Sequence, residues 1–294
     1  MKKVSIGILM ISMIVGGVYL TRSKNSYEYP FFPAMGNETH IEHIEPTGLS
    51  SDTTEVPVFK TKPVINPTEK AKTLATRFNL KDYKTSENER SISLVSEDSS
   101  IEFFKNSGSF VYLKKVKPED PSNLPSLEQA KSLANSFVKS LGYNDYAVSK
   151  VAEEKRYNPI SKGKENEVTV GINVFFSKKL KNMEIYGGDR IEIDFGSNGE
   201  ITKAFFLTRD YEESNLEKTI SPQEAFDRAR KGNGAVYTES SAKHAVINKS
   251  SIAYWTAPAP EFQKDVIPVY IFEGTTDENK AVTIITPAIE VQPK

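Results

Sequence analysis

Apolar residues recur at helical spacing in three segments of the chain, where positions i, i+3, i+4 and i+7 are apolar. Each segment starts with a helix signal, either a capping residue before a proline or the capping-box pair Ser126 and Gln129. Gly142 and Gly232 follow two of the segments as stop signals. The pattern predicts helices at residues 67–79, 127–141 and 222–231.

Between these helices, apolar and polar residues alternate with a period of two, which is the spacing of a strand with one buried face. The clearest case is residues 190–195, which lead into the hairpin turn Gly196-Ser197-Asn198-Gly199. Hairpins with one apolar face need a cover, and the helices can supply it. Strands are predicted at residues 91–96, 101–104, 110–116, 146–153, 167–176, 190–195, 200–207, 235–237, 245–255, 267–272 and 281–285.

The expected fold is therefore α+β, built from tandem helix-plus-antiparallel-sheet units. The units are predicted at residues 67–118, 122–214 and 219–290. An Ala-x-x-x-Ala pattern recurs in each helix, but the spacing between the units is unequal. The units therefore form a degenerate repeat and not a regular solenoid.

The amino-terminal residues form an apolar segment between basic flanks. Residues 4–20 carry no charge, and Arg22 and Lys24 follow them. Their number lies between a signal-peptide core of about 7–15 residues and a membrane span of about 20. Residues 1–21 are predicted to be a signal anchor or a cleaved signal peptide, and both alternatives stay open. The expected location is the cell membrane, with a single span and an extracytoplasmic remainder, or secretion if the leader is cleaved.

Residues 22–66 show neither a helical nor a strand period and are rich in Pro, Ser, Thr and Glu. This composition predicts a disordered tether between the leader and the first folded unit. His40 and His43 lie three residues apart within it. A metal site needs preformed geometry and more ligands than a tether holds in place. No metal and no cofactor are therefore expected.

Composition excludes several classes of protein. The chain has 294 residues with 38 Lys and Arg against 39 Asp and Glu, so its net charge of −1 offers no broad basic surface for nucleic acid. The absence of cysteine excludes disulfides, thiolate metal sites and a cysteine nucleophile. Gly-x-Ser-x-Gly is also absent. Glu192 and Asp194 share one strand face, but alternating charges on such a strand are predicted to be solvated. The sequence predicts no enzyme.

An aromatic cluster near the carboxyl terminus is the candidate interaction surface. Adjacent strand residues point to opposite faces, so one of Tyr254 and Trp255 is expected to be exposed beside a proline-rich loop. Exposed aromatic residues are typical anchors of protein interfaces. Packing in the core is the alternative for these side chains. The surface comprises Tyr254, Trp255, Pro258, Tyr270 and Phe272.

Several segments resemble a known family. Asn-Val-Phe-Phe-Ser-Lys-Lys-Leu at residues 173–180, Met-Glu-Ile-Tyr-Gly-Gly at 183–188 and the hairpin at 190–207 resemble PepSY-like domains. The helix-plus-sheet unit is similar to that of YycH/YycI-type extracytoplasmic regulators and of metalloprotease propeptides. Residues 253–258 and 268–274 also resemble the last unit of such chains.

The resemblance implies a non-catalytic, membrane-anchored or secreted regulatory module. Its partner would be an extracytoplasmic protein, such as a protease or the ectodomain of a sensor kinase. A protease-inhibitory module of the propeptide kind is one alternative. An envelope-remodelling hydrolase, with Glu192 or Asp194 in an unrecognised site, is another.

Overall fold

The computed structural model describes residues 27–28, 30, 43–115, 122–160, 164–239 and 242–292, with the backbone alone at 157–160 and 164–166. The predicted leader, residues 1–21, lies outside these ranges. Within them, no helix combines the length and the apolar character needed to cross a bilayer.

Three helices and eighteen strands follow one another in the described residues. The helices are α1 (Pro67–Arg77), α2 (Leu127–Ser140) and α3 (Pro222–Arg230). The strands are β1 (His43–Pro46), β2 (Glu55–Thr61), β3 (Lys84–Glu87), β4 (Ser91–Val95), β5 (Ser99–Phe104), β6 (Phe110–Lys114), β7 (Ala147–Ile160), β8 (Lys164–Ser177), β9 (Lys179–Leu180), β10 (Met183–Gly187), β11 (Arg190–Phe195), β12 (Ile201–Leu207), β13 (Tyr211–Lys218), β14 (Ala235–Thr238), β15 (His244–Thr256), β16 (Asp265–Val266), β17 (Pro268–Thr276) and β18 (Ala281–Pro287).

The three helices lie where the sequence pattern predicts them. Ser126 and Gln129 form the predicted capping box of α2, and the side chain of Ser221 caps α3. Asn66 departs from expectation, because it adopts a left-handed conformation and its side chain makes no capping hydrogen bond. Proline at the first helical position already has the required φ, so α1 begins without a side-chain cap.

The amino-terminal sheet is antiparallel throughout and has the order β3-β4-β5-β6-β12-β11-β8-β7. Helices α1 and α2 cover one face of it, and Phe78 and Phe137 of the two helical segments meet at 5.3 Å between ring centroids. Strands β6 and β12 pair so that Phe110 stacks on Phe206 at 4.5 Å. The expectation that each helix carries its own sheet is therefore wrong for the first two units, which share one sheet and one core.

The carboxy-terminal sheet has the order β14-β18-β17-β15-β10-β9, and β1 also pairs with β15. Helix α3 covers one face, where Phe226 packs against Phe272 at 5.4 Å between ring centroids. Strands β1 and β10 both run parallel to β15, although β1 comes from the predicted tether and β10 from the second predicted unit. This sheet is therefore assembled from distant parts of the chain.

The predicted tether at 22–66 is wrong for the residues that form β1 and β2. Strand β2 is the middle strand of a third sheet, with the order β13-β2-β16. Val58 is fully buried beside Ile267, and Phe59 meets the ring of Tyr254 edge-on at 5.1 Å. Proline has no N–H to donate, so Pro57 counts against a strand in the sequence. In the structure its carbonyl accepts a hydrogen bond from the hydroxyl of Tyr254 at 2.8 Å. Burial against the carboxy-terminal sheet holds this segment in place.

The structure extends the two predicted strands at residues 146–153 and 167–176 into the segment between them. Strands β7 and β8 continue through most of it as a long antiparallel hairpin, with Ile160 paired to Lys164. Backbone pairing between the two strands continues beyond the residues whose apolar alternation predicts a strand.

Candidate functional site

An apolar cleft of about 650 Å³ lies between the amino-terminal and carboxy-terminal sheets. Each sheet contributes to it the face that its helices leave uncovered. The described residues that line it are mainly aromatic, aliphatic, glycine and proline: Phe104, Val111, Tyr186, Gly187, Gly188, Arg190, Phe205, Leu207, Tyr237, Trp255, Thr256, Pro258, Ala259, Pro260, Thr283 and Ile285. Clefts with such linings are the usual sites of ligand and partner binding.

One wall of the cleft is the uncovered face of β6 and β12. Phe206 and Phe110 are buried under the helices, and neighbouring strand residues point to opposite faces. Phe205 and Val111, which pair in register, must therefore point away from the helices and into the cleft. These two strands are apolar on both faces, which is the pattern of a sheet covered on both sides.

The opposite wall is built on β15 and β10. Trp255 pairs in register with Tyr186, and both side chains line the cleft. Tyr254 points to the other face of β15, is fully buried and packs against Phe59. The alternation of the two adjacent aromatic residues is therefore as predicted, but both faces of the strand are covered.

The predicted interaction surface is corrected accordingly. Tyr254, Tyr270 and Phe272 are buried in the core of the carboxy-terminal sheet. Trp255, which is 5% exposed, and the half-buried Pro258 line the cleft instead of an open surface. In strands that are covered on both sides, most aromatic side chains are buried in the core. Only two of the five residues therefore line the cleft.

A close approach of two backbones closes one end of the cleft. The N–H of Gly188 donates to the carbonyl of Thr256 at 2.8 Å. A Cβ atom at Gly187 would lie 2.1 Å from the Thr256 oxygen, and one at Gly188 would lie 2.1 Å from the Ala257 oxygen. Only glycine leaves room for this contact.

Arg209 fixes the loop at residues 257–261, which forms the rim of the cleft. Its Nη1 donates to the carbonyl of Ala257 at 2.9 Å, and its Nη2 donates to those of Pro258 at 2.8 Å and Glu261 at 3.1 Å. The amide of Gln263 adds to this, since it accepts from the Ala257 N–H at 2.7 Å. The rim is therefore held by one buried cation and one side-chain amide.

The charge of Arg209 is balanced by Asp189. Nη1 of Arg209 lies 3.4 Å from Oδ1 of Asp189, and both side chains are almost fully buried. The hydroxyl of Tyr211 donates to Oδ2 of Asp189, and Nζ of Lys178 donates to the backbone carbonyl of Arg209 at 3.1 Å. Burial raises the pKa of Asp189, whereas Lys178, Tyr211 and Arg209 act to lower it. These four residues are called the Arg209 hub below.

The predicted solvated pair of Glu192 and Asp194 is corrected by burial. Asp194 is 2% exposed, and Nζ of Lys203 lies 3.3 Å from its Oδ2. Its Oδ1 has no hydrogen-bond partner among the described residues, and neither has Oδ1 of Asn173, its neighbour in register on β8. Burial is the main reason that the pKa of Asp194 is raised to about 6. Neither carboxylate lines the cleft.

Substitution of Asp194 by asparagine is expected to change the pH dependence of stability. Because the folded pKa of about 6 exceeds the ordinary 3.8, folding takes up a proton between these values, and the free energy of unfolding falls as the pH rises. Asp194→Asn removes this slope and should stabilise the protein at pH 7.5 by on the order of 2–3 kcal/mol. Urea unfolding at pH 4, 5, 6 and 7.5 measures the difference, which should fall below about 1 kcal/mol at pH 4, just above the ordinary pKa of 3.8.

Glu102→Gln is the control for this substitution, because Glu102 is exposed on the same sheet. It is expected to leave the slope as in the wild type. Equal slopes for Asp194→Asn and the wild type would contradict the raised pKa.

No three His, Asp or Glu side chains within the described ranges come together in a group that could hold a metal ion. His43 stacks on His244 across the β1–β15 pair, with 5.0 Å between ring centroids, and His40 lies outside the described residues. His43 therefore has a structural partner 201 positions later in the chain, at His244.

Sequence reasoning missed the Arg209 hub and the wall formed by Phe205 and Val111. The second of these had a signal in the sequence, because Phe205 and Phe206 are adjacent in one strand and cannot share a face. The hub had none, since its residues lie on four separate strands or loops and have no common spacing.

Comparison with known proteins gives architectural similarities only. No family model matches the chain, and no curated protein matches it in sequence. The C-terminal domain of YpeB from Bacillus megaterium is similar in structure at 14% identity, covering 78% of this chain and 95% of that chain with a TM-score of 0.40. An uncharacterized protein from Eubacterium rectale is similar at 14% identity, covering 88% and 91% with a TM-score of 0.41.

Proposed function

We propose that the chain is a non-catalytic binding module that acts outside the cytoplasmic membrane through protein contact. It takes an extended apolar segment of a partner protein into the cleft between its two sheets. The observation that carries this proposal is the lining of the cleft. Both sheets contribute aromatic side chains to it, and the rim loop contributes two prolines. Aromatic-lined grooves are a recurrent way to bind extended peptides.

The rigidity of the cleft supports binding. Three hydrogen bonds from Arg209 hold the rim, and the Gly188–Thr256 contact holds the end wall. A preformed site loses less conformational entropy when a partner binds, so more of the contact energy appears as affinity. Tyr186 and Phe205, which are only partly buried, supply aromatic surfaces of the kind that dominate interface energies.

The proposed setting rests on the leader-like segment at residues 1–21, which would attach the module to the membrane or direct its secretion. The partner class is an extracytoplasmic protein, with a protease or a sensor kinase ectodomain as the leading candidates. The hydrolase alternative finds no support in the cleft, because no carboxylate is among its described lining residues.

Trp255 provides the experimental test, because it is the single tryptophan of the chain and lines the cleft. A decapeptide of Leu, Phe and Pro is titrated into the full-length protein while tryptophan fluorescence is recorded. A decapeptide of Gly and Ser serves as the control ligand. We expect a saturable change in fluorescence with the apolar peptide alone.

Phe205→Lys is expected to weaken this binding at least tenfold, since it places a charge on the apolar wall without touching the helix-covered core. Phe262→Lys is the matched control, because Phe262 is 69% exposed and does not line the cleft. Affinities come from the same fluorescence titration. Equal affinities of the two variants would place binding elsewhere, and no response to the apolar peptide would overturn the proposed function.

A further inference from the structure

Arg190 is the one charged residue among the described residues that line the cleft. It begins β11, directly after Asp189 of the Arg209 hub. Its side chain is exposed and makes no hydrogen bond or ion pair with the part of the chain that the structure describes. A free guanidinium thus stands at the edge of an otherwise uncharged binding surface.

Other cations of the same sheet differ from Arg190 in this respect. Lys105 pairs with Glu87, Lys114 with Glu200, and Lys203 with Asp194. Glu192 lies two residues after Arg190 on the same strand face, but the two side chains form no ion pair within the described structure. Lys84 on β3 is also exposed without an ion pair among the described residues, so Arg190 is distinguished by its position in the lining of the cleft.

A bound segment without charge would cover the guanidinium of Arg190 and displace its water. It would offer no hydrogen-bond acceptor in return, which costs free energy. A carboxylate instead accepts two parallel N–H bonds from a guanidinium, and such pairs gain strength where water is partly excluded. Charge complementarity of this kind also fixes the direction in which a peptide lies.

We propose that the apolar peptide bound in the cleft carries a single carboxylate, which pairs with Arg190. This inference rests on the proposed function and adds the polarity of the partner segment to it. The carboxylate is the free carboxyl terminus of the segment, because Arg190 follows Gly188 by two residues, at the end of the cleft that the Gly188–Thr256 contact closes. An acidic side chain next to the apolar residues is the outcome that would contradict this assignment. Both sources have the same chemistry and are separated by the experiment.

Three versions of the Leu, Phe and Pro decapeptide are titrated against the full-length protein, with Trp255 fluorescence as the signal. The first has a free carboxyl terminus, the second an amidated terminus, and the third an amidated terminus with one glutamate next to it. We expect the amidated peptide to bind about tenfold more weakly than the peptide with a free carboxyl terminus.

Arg190→Gln should remove this preference, so that the three peptides bind with similar affinity, whereas Arg190→Lys should keep part of it. Lys114→Gln is the control, because Lys114 lies on the same sheet outside the cleft and is expected to retain the full preference. The preference should also weaken between 50 and 500 mM salt, chosen as roughly tenfold in ionic strength.

The outcomes separate the two proposals. A preference for the free terminus supports the proposal, whereas a preference for the glutamate peptide alone contradicts the assignment to the chain end. Equal binding of all three peptides to the wild type, or a preference that survives Arg190→Gln, overturns the role of Arg190 and leaves the cleft as a binding site. If no peptide changes the fluorescence, the proposed function fails and this inference fails with it.

Discussion

Arg209→Met is expected to lower the free energy of unfolding by about 3–5 kcal/mol, because it leaves a buried carboxylate without its cation. Asp189 would keep only Lys178 and Tyr211 nearby, and the carbonyls of Ala257, Pro258 and Glu261 would lose their donors. A domain is typically stable by only about 5–15 kcal/mol, so this is a large share. Urea unfolding followed by circular dichroism measures the loss.

Arg228→Met is the matched control for this prediction. Arg228 pairs with Glu224 and Glu290 near the surface, where ion pairs contribute only about 0–1 kcal/mol. Addition of Asp189→Asn to Arg209→Met should restore part of the stability, since it removes the uncompensated charge. Equal losses for the two arginine variants, or no rescue by Asp189→Asn, would show that the hub is not the ionic support described above.

Gly187→Ala is expected to destabilise the protein by roughly 2–3 kcal/mol more than Gly142→Ala. The two glycines have nearly the same φ, 95° and 96°. A Cβ atom at Gly142 meets nothing within 4 Å, whereas one at Gly187 lies 2.1 Å from the Thr256 oxygen. The alanine at 187 must therefore separate β10 from β15 and open the end of the cleft.

The free energies of unfolding of both variants are measured in urea, and Trp255 fluorescence of the folded state reports on the cleft. Gly142→Ala isolates the backbone strain that a side chain meets at positive φ, without any new contact. The fluorescence of Trp255 should change in Gly187→Ala and stay as in the wild type in Gly142→Ala. Equal losses of stability would mean that β10 moves away without cost.

The Arg209 hub connects the fold to the proposed site. Lys178 and Asp189 lie at the two ends of the segment that contains β9 and β10, and Arg209 lies between β12 and β13. The guanidinium reaches across to the loop after β15 and holds the rim of the cleft. The geometry of the binding surface therefore depends on a contact between the two sheets and not on either sheet alone.

Most of the secondary structure could be predicted from the sequence, because the signals are local. The three helices begin at residues with start signals, and the strands at residues 91–95 and 190–195 follow clear alternation. The predicted α+β class is confirmed. The candidate site was predicted only through Trp255 and Pro258, since a pattern shows that a residue is apolar and not which surface covers it.

Several of the missed strands, among them β2, β10 and β13, pair with partners that are distant in the chain. Strand β13 is rich in glutamate, and it pairs with β2 so that Lys218 faces Glu55. Strand β10 ends at Gly187 and is followed by Gly188, a sequence typical of a turn. It nevertheless pairs with β15, where Tyr186 lies opposite Trp255. Their hydrogen bonds join residues that are far apart in the chain, so no local pattern marks them.

The sequence by itself determined the helices, most of the strands and the α+β class, because propensity, capping and apolar period act over a few residues. Only the tertiary structure decided that two predicted units share one sheet, that residues 43–61 belong to the fold, and that Arg209 and Asp189 meet. The cleft belongs to this second group. It exists because two sheets approach with their uncovered faces, and the free energy of that approach comes from side chains that are far apart in the chain.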